Sequence, residues 1–341
     1  MRVLYQISAL LLVIGLAHFT DTNGEEAYTE YSAALDPQYQ SDPVLELVSS
    51  GLDRSLLSVA ASDDRLVTVG EKGIMLRSSN GVMWDSVTSL MKIGFYDIIW
   101  TGSIFLTLAH DNIFPWPGIL ISREGEEWMS AFEIPPASEG LYSVTFSGDK
   151  YTAVGYGGQV FSSRDALVWN VELESSVTLD RNLFSVIRAE SLYVAVGEHW
   201  NVTRNKWQGA AAISKNGTVW DWIEIDGTSL LFDLAFHNGT LYAVGYTGTW
   251  GSSRAVIAQM DKSGLWSIEE FDNAEYFRAI KPYKYGLVAV GSGGAVMTST
   301  DGNSWHRIES GTDQPLNDVA VFNGDLVIVG KAGTILRANY E

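Results

Sequence analysis

Residues 299–305 read Ser299-Thr300-Asp301-Gly302-Asn303-Ser304-Trp305, and the stretch that continues from them, WHRIESGTDQPLNDVAV (305–321), repeats the layout of VLELVSSGLDRSLLSVA (44–60). Each of the longer stretches is a short strand, a polar turn and the next strand. The seven-residue element recurs at 78–84, 122–128, 163–169 and 214–220 as S-x-x-G-x-x-W. An Asn or Asp at its third position can accept backbone N–H groups and hold a tight turn. Glycine tolerates the positive φ such a turn needs, and the tryptophan opens the next strand. Some copies depart from the pattern: Glu124 and Asn216 replace the Asp, Ala166 replaces the Gly, and the copy from Asp261 to Trp266 is one residue short.

Outward from this element the chain is one unit written seven times. A landmark after the second strand falls at Gly70, His110, Gly155, Gly197, Gly245, Gly291 and Gly330, at spacings of 39 to 48 residues. The tryptophans Trp84, Trp128, Trp169, Trp220, Trp266 and Trp305 drift with it, which indicates a structural period like that of a four-stranded propeller blade. The runs between landmarks, such as LYSVTF, YTAVGY, QVFSS and WNVELE, are β-branched and aromatic, without a helical period. The seventh unit stops after TILRANY and lacks its fourth strand, and the segment from Val44 to Val48 has the character of the missing piece. The sequence therefore predicts an all-β, seven-bladed β-propeller over 44–341, its last blade closed by the N-terminal strand. That closure removes open sheet edges.

The remaining 43 residues divide in two. Residues 1–17 carry Arg2, an apolar run at 7–17, and Gly15 and Ala17 at the small-residue positions of a cleavage site, which is a signal-peptide pattern. The run is shorter than the roughly 20 residues that span a bilayer. Residues 18–43 are acidic and read as a flexible lead. The chain is expected to be exported, with no membrane span after cleavage, and monomeric. Its 341 residues hold 22 Lys and Arg against 41 Asp and Glu, so the net charge is −19, which argues against nucleic acid. The absence of cysteine excludes disulfides, thiol nucleophiles and cysteine metal sites. The histidines lack metal-ligand spacing, so neither a metal nor a cofactor is expected.

The S-x-x-G-x-x-W copies resemble the Asp-box, or BNR, repeats of sialidase-like propellers. The fuller string, with Gly70-Glu71-Lys72-Gly73-Ile74 and Gly291-Ser292-Gly293-Gly294-Ala295, is also similar to the propeller of photosystem II assembly and stability factors. The resemblance implies the fold. It leaves open an assembly factor and a sialidase-like glycoside hydrolase, since one propeller fold hosts many activities. Sialidases need an arginine triad, a Tyr–Glu nucleophile pair and an Asp acid. Arg278 sits on an inner strand, Arg54 and Arg181 in equivalent turns, and Arg204 in a long insertion, with nothing in the sequence to bring them together. No catalytic residue is assigned, and the chain reads as non-catalytic.

Two candidate sites emerge. Aligning the inner strands puts Ser58, Asp97, Ser143, Ser185, Asp233, Arg278 and Asp318 at one position, a polar ring facing the channel. The ring could bind a small cationic or polar ligand or a metal in the channel, or it could serve hydrogen bonding to neighbouring strands and channel water. The connections between second and third strands are long in blades two, four and five. They carry His110 and Trp116, then His199, Trp200, Arg204 and Trp207, then Trp250. Exposed aromatics on loops point to recognition of a protein or glycan partner. The sequons at Asn201, Asn216 and Asn238 matter only in a host that glycosylates.

Overall fold

The computed structural model describes residues 43–89, 92–110, 118–133, 140–173, 180–249 and 251–339. The segments expected to be a signal peptide (1–17) and an acidic lead (18–43) lie outside them up to residue 42. The described strands form seven separate four-stranded antiparallel sheets, a seven-bladed propeller. Blade one runs outward from the axis as strands a to d: Leu56–Ala61, Leu66–Gly70, Met75–Ser78 and Asp85–Ser86. The inner strands a of blades two to seven are Gly94–Trp100, Leu141–Phe146, Arg181–Ala189, Leu230–His237, Phe277–Tyr283 and Leu316–Phe322. Blade seven takes its outermost strand from the other end of the described chain. Val44–Val48 pairs antiparallel with Ile335–Asn339, with Leu47 opposite Leu336. Ser50 Oγ adds a 2.6 Å bond to the Gly333 carbonyl.

A single blade cannot bury both its faces, so apolar side chains collect between neighbours. Each junction between adjacent blades has its own cluster among the described residues, and the tryptophan landmark wedges into six of them. Trp84 packs where blade one meets blade seven, Trp128 between blades one and two, and Trp169 between two and three. Trp220, Trp266 and Trp305 serve the next three junctions. The junction of blades six and seven has Leu45 of the N-terminal strand in that role. The turn chemistry beneath the tryptophans is local. Ser78, Ser122, Ser214 and Ser299 accept the N–H of the glycine three residues on, at 2.8 to 2.9 Å. Asn80, Asp165, Asn216 and Asp301 each accept two further N–H groups with Oδ1. Ala166, in the glycine position, takes φ 63°.

One irregularity recurs in every inner strand and positions the candidate site. The register shifts between Leu56 and Ser58, and at the same place in the other six blades. The residue paired with the start of the shift is glycine in six blades, because a Cβ at Gly70 would overlap the Ser55 carbonyl, as one at Gly245 would overlap Leu230. In blade two that residue is Ala109, one position before His110, so the landmark there moves back by one. A bulge breaks the alternation of faces. Two consecutive residues of each inner strand thus face the channel.

Candidate functional site

The inner strands enclose an axial cavity of about 490 Å³. The consecutive pairs at the bulges line it as two stacked layers: Leu57-Ser58, Tyr96-Asp97, Tyr142-Ser143, Phe184-Ser185, Phe232-Asp233, Arg278-Ala279 and Asn317-Asp318. The second member of each pair is the polar ring, with one correction. In blade six Phe277, not Tyr276, pairs across from the landmark Gly291, so Ala279 takes the ring position. Arg278 belongs to the first layer.

The ring joins blade to blade. Its side chains accept the backbone N–H that follows the ring position in the next blade: Ser58 from Ile98 (3.2 Å), Asp97 from Val144 (2.9 Å) and Ser143 from Val186 (3.4 Å). Asp233 accepts from Ile280 (3.0 Å), and Asp318 accepts from Val59 (3.0 Å). Ala279 has no acceptor to offer, and Val319 N–H instead bonds Asp318 Oδ1 of its own blade (2.8 Å). Ser58 also donates to Asp318 at 2.7 Å, and Ser185 to Asp233 at 2.8 Å. The ring serines are buried and the ring carboxylates half-buried, and these polar groups satisfy one another across the blade junctions.

The carboxylates of the ring meet a cation that the sequence reading missed. Lys281, two residues beyond Ala279, places Nζ 3.3 Å from Asp233 Oδ2. Burial opposes its charge, but Asp233, Asp318 and Asp97 outweigh burial and hold its pKa above the ordinary lysine value. Burial pushes Asp97 up to about 6, helped by the negative charges of Asp318 and Asp233 and opposed by the Val144 N–H and Lys281. Burial also raises Asp318, against the pull of Lys281.

The first layer is different in kind. Four adjacent blades contribute aromatic rings that touch in series: Tyr96 to Tyr142 at 6.2 Å between centroids, Tyr142 to Phe184 at 5.0 Å, and Phe184 to Phe232 at 5.9 Å. Tyr246 and Tyr276 continue the collar around Phe232 at 6.1 and 5.9 Å. The Arg278 guanidinium lies over the Phe232 ring, 4.2 Å from its centroid. The collar precedes the ring along each inner strand, so it sits at the end where the d–a and b–c connections meet. Burial pushes the Tyr142 hydroxyl up to about 12. Burial also raises Glu198, which accepts the Asn182 side-chain amide at 2.9 Å. Burial lowers Arg278 from a value so high that it stays a cation.

The other expected residues distribute unevenly. His110, buried at the end of its strand, is 5.7 Å from the Tyr96 ring and borders the collar. Trp116 and Trp250 lie outside the described residues. The blade-four insertion is an extended hairpin rather than a loop, with strands Leu192–Asn201 and Lys206–Ser214. Trp200 and Trp207 are cross-strand partners there, edge to face at 5.7 Å. His199 Nε2 is 3.2 Å from Glu224 Oε1, and Arg204 pairs with Asp226. Arg181 pairs with Asp180 and stacks on Trp222, and Arg54 is exposed. Of the four arginines considered for a sialidase-like triad, Arg278 alone lines the channel. Asn201 donates its amide to Gln208 and Glu224, and Asn216 holds its turn, whereas Asn238 is exposed. Among the described residues no group of three or more His, Asp or Glu is placed to hold a metal ion.

No protein-family model matches the chain, and no curated protein matches it. Solved structures do. A structure described as YCF48 bound to D1 peptide superposes with a TM-score of 0.67 at 16% identity, over 89% of this chain and 96% of that one. The WD40 β-propeller domain of Doa1 gives 0.64 at 13% identity, over 88% and 98%. At these identities the likeness is one of fold.

Proposed function

We propose that this chain is a non-catalytic propeller that binds a segment of a partner protein at the collar end of its channel. The observation that carries the reading is the collar: Tyr96, Tyr142, Phe184 and Phe232 line a cavity mouth from four adjacent blades. Half-buried aromatics around a concavity offer large contact area at low entropic cost, which is the chemistry of protein recognition. The blade-four hairpin forms an outer wall in this reading. Val202, 80% exposed at the hairpin tip, is a first contact for an arriving partner. That one propeller of similar fold is described with a bound peptide supports a peptide ligand. The leader at 1–17 would export the chain, leaving the acidic lead at 18–43 ahead of the propeller domain of 44–341.

The alternatives have weaker support. An assembly-factor role rests on the resemblance of the glycine strings at 70–74 and 291–295 and on fold likeness. A glycan-binding role would use Trp200 and Trp207, but these pack on each other. A glycoside hydrolase would need converging carboxylates, and Asp97, Asp233 and Asp318 are engaged in holding blades together. The test is an immobilised array of short peptides probed in parallel with the wild type and the Phe184→Ala/Phe232→Ala double variant. Sequence-selective binding by the wild type that the double variant loses supports the reading. Binding that survives the double variant overturns it.

A further inference from the structure

The collar is interrupted at one place. Where blades two to five present Tyr96, Tyr142, Phe184 and Phe232, blade six presents Arg278. Stacking on Phe232 occupies the guanidinium face and leaves its edge, with five N–H donors, unused. Among the described residues no carboxylate or other acceptor bonds these donors. The chain is rich in acid, and its other channel cation, Lys281, is taken by Asp233. Arg181, Arg204, Arg254 and Arg337 all have carboxylate partners. A half-buried arginine that stacks but does not pair in such a chain is poised for an anion from outside. Planar bidentate recognition favours a carboxylate.

We infer that Arg278 is the specificity residue of the channel mouth and that the ligand presents a carboxylate there, attached to an apolar or aromatic body that packs on Phe184, Phe232 and Tyr142. The inference rests on the reading of the collar as the binding site and adds the chemistry of what enters it. The carboxylate comes from an acidic side chain or from a free C-terminus. Asp233 and Asp318 belong to the ring one residue further along the inner strands, and Lys281 offsets part of their repulsion of an incoming anion.

Titration calorimetry on the full chain tests this with matched probes. One pair is a capped pentapeptide with glutamate between two phenylalanines and its glutamine counterpart. The other is an uncharged tripeptide with a free or an amidated C-terminus, and inorganic phosphate serves as a body-free anion. The wild type should bind the carboxylate member of at least one pair about tenfold or more tightly over its neutral partner, and the pair that discriminates identifies the source. Arg278→Gln should abolish the preference, and Arg278→Lys should retain only part of it. Should Gln lower the unfolding temperature, the Lys variant keeps the comparison readable. Equal affinity of the wild type for charged and neutral probes overturns the inference, as does failure to bind any carboxylate probe. If peptides selected on the array bind through Phe184 and Phe232 without regard to charge, the collar reading stands and the role of Arg278 falls.

Discussion

The two layers of the channel are built from adjacent residues of the same seven strands, yet they do opposite things. The ring of Ser58, Asp97, Ser143, Ser185, Asp233 and Asp318 is consumed by bonds to the next blade. The collar one residue earlier has ring-on-ring contacts and a stacked guanidinium whose donors meet no acceptor among the described residues. Polarity in a channel is therefore no guide to function by itself. The polar layer is structural, and the aromatic layer is the one left with surface to offer.

That contrast can be broken by substitutions, of which those in the ring cost the most stability. Asp318→Ala removes the acceptor of both Val59 N–H and Ser58 Oγ. It should cost about 3 kcal/mol in denaturant unfolding, the scale of orphaned buried partners; a cost below the error of the measurement would deny the ring its structural role. Lys281→Met leaves Asp233 without its ion pair, and since Lys281 is 38% exposed the loss should be smaller, about 1 to 2 kcal/mol.

The next prediction concerns pH. The folded pKa of Asp97, about 6, lies above the ordinary 3.8. Between these values the folded state holds more protons than the unfolded one, so this group's contribution makes stability fall as pH rises through that window. Asp97→Asn keeps a carbonyl acceptor for Val144 N–H and should flatten the slope between pH about 4 and about 6. An unchanged stability profile would mean that Asp97 does not titrate there. Last, Phe184→Ala should shift stability by less than about 1.5 kcal/mol, because the side chain is only half-buried at the mouth, while it weakens peptide binding. A cost equal to that of Asp318→Ala would erase the distinction between the layers.

Much of this was legible in the residues. The tryptophan spacing marks six blade junctions, and the S-x-x-G-x-x-W turns bond much as their residue types predict. Val44 to Val48 has the layout of a missing fourth strand, and it pairs with Ile335–Asn339. The ring was legible as a polar position between apolar neighbours. The error fell in blade six, where YFRAIK aligns with LLSVAA by eye but Phe277 is the paired residue. Ala279 hides the ring there, because alanine carries no polar signal. The collar had a signal that period-two reasoning discards: an aromatic at the same position in four consecutive blades, followed by Arg278. Alternation assigns adjacent residues to opposite faces, and only a bulge brings both to the channel. The blade-four insertion looked like a loop for a related reason. Its Trp, His, Asn and Arg content is polar and irregular, but the cross-strand pairing of Trp200 with Trp207 extends the ladder.

The sequence by itself determined the repeat, the number of blades and the chemistry of each turn, since these depend on contacts a few residues apart and on a period that any copy displays. The tertiary structure decided which side chains share the channel mouth, that Lys281 pairs with Asp233 of the ring and that Arg278, beside Phe232, has no acceptor among the described residues. Those facts depend on a register shift repeated in seven strands and on closure of the circle by segments almost 300 residues apart, as Ser50 and Gly333 are. Neither is a property of any local stretch of chain.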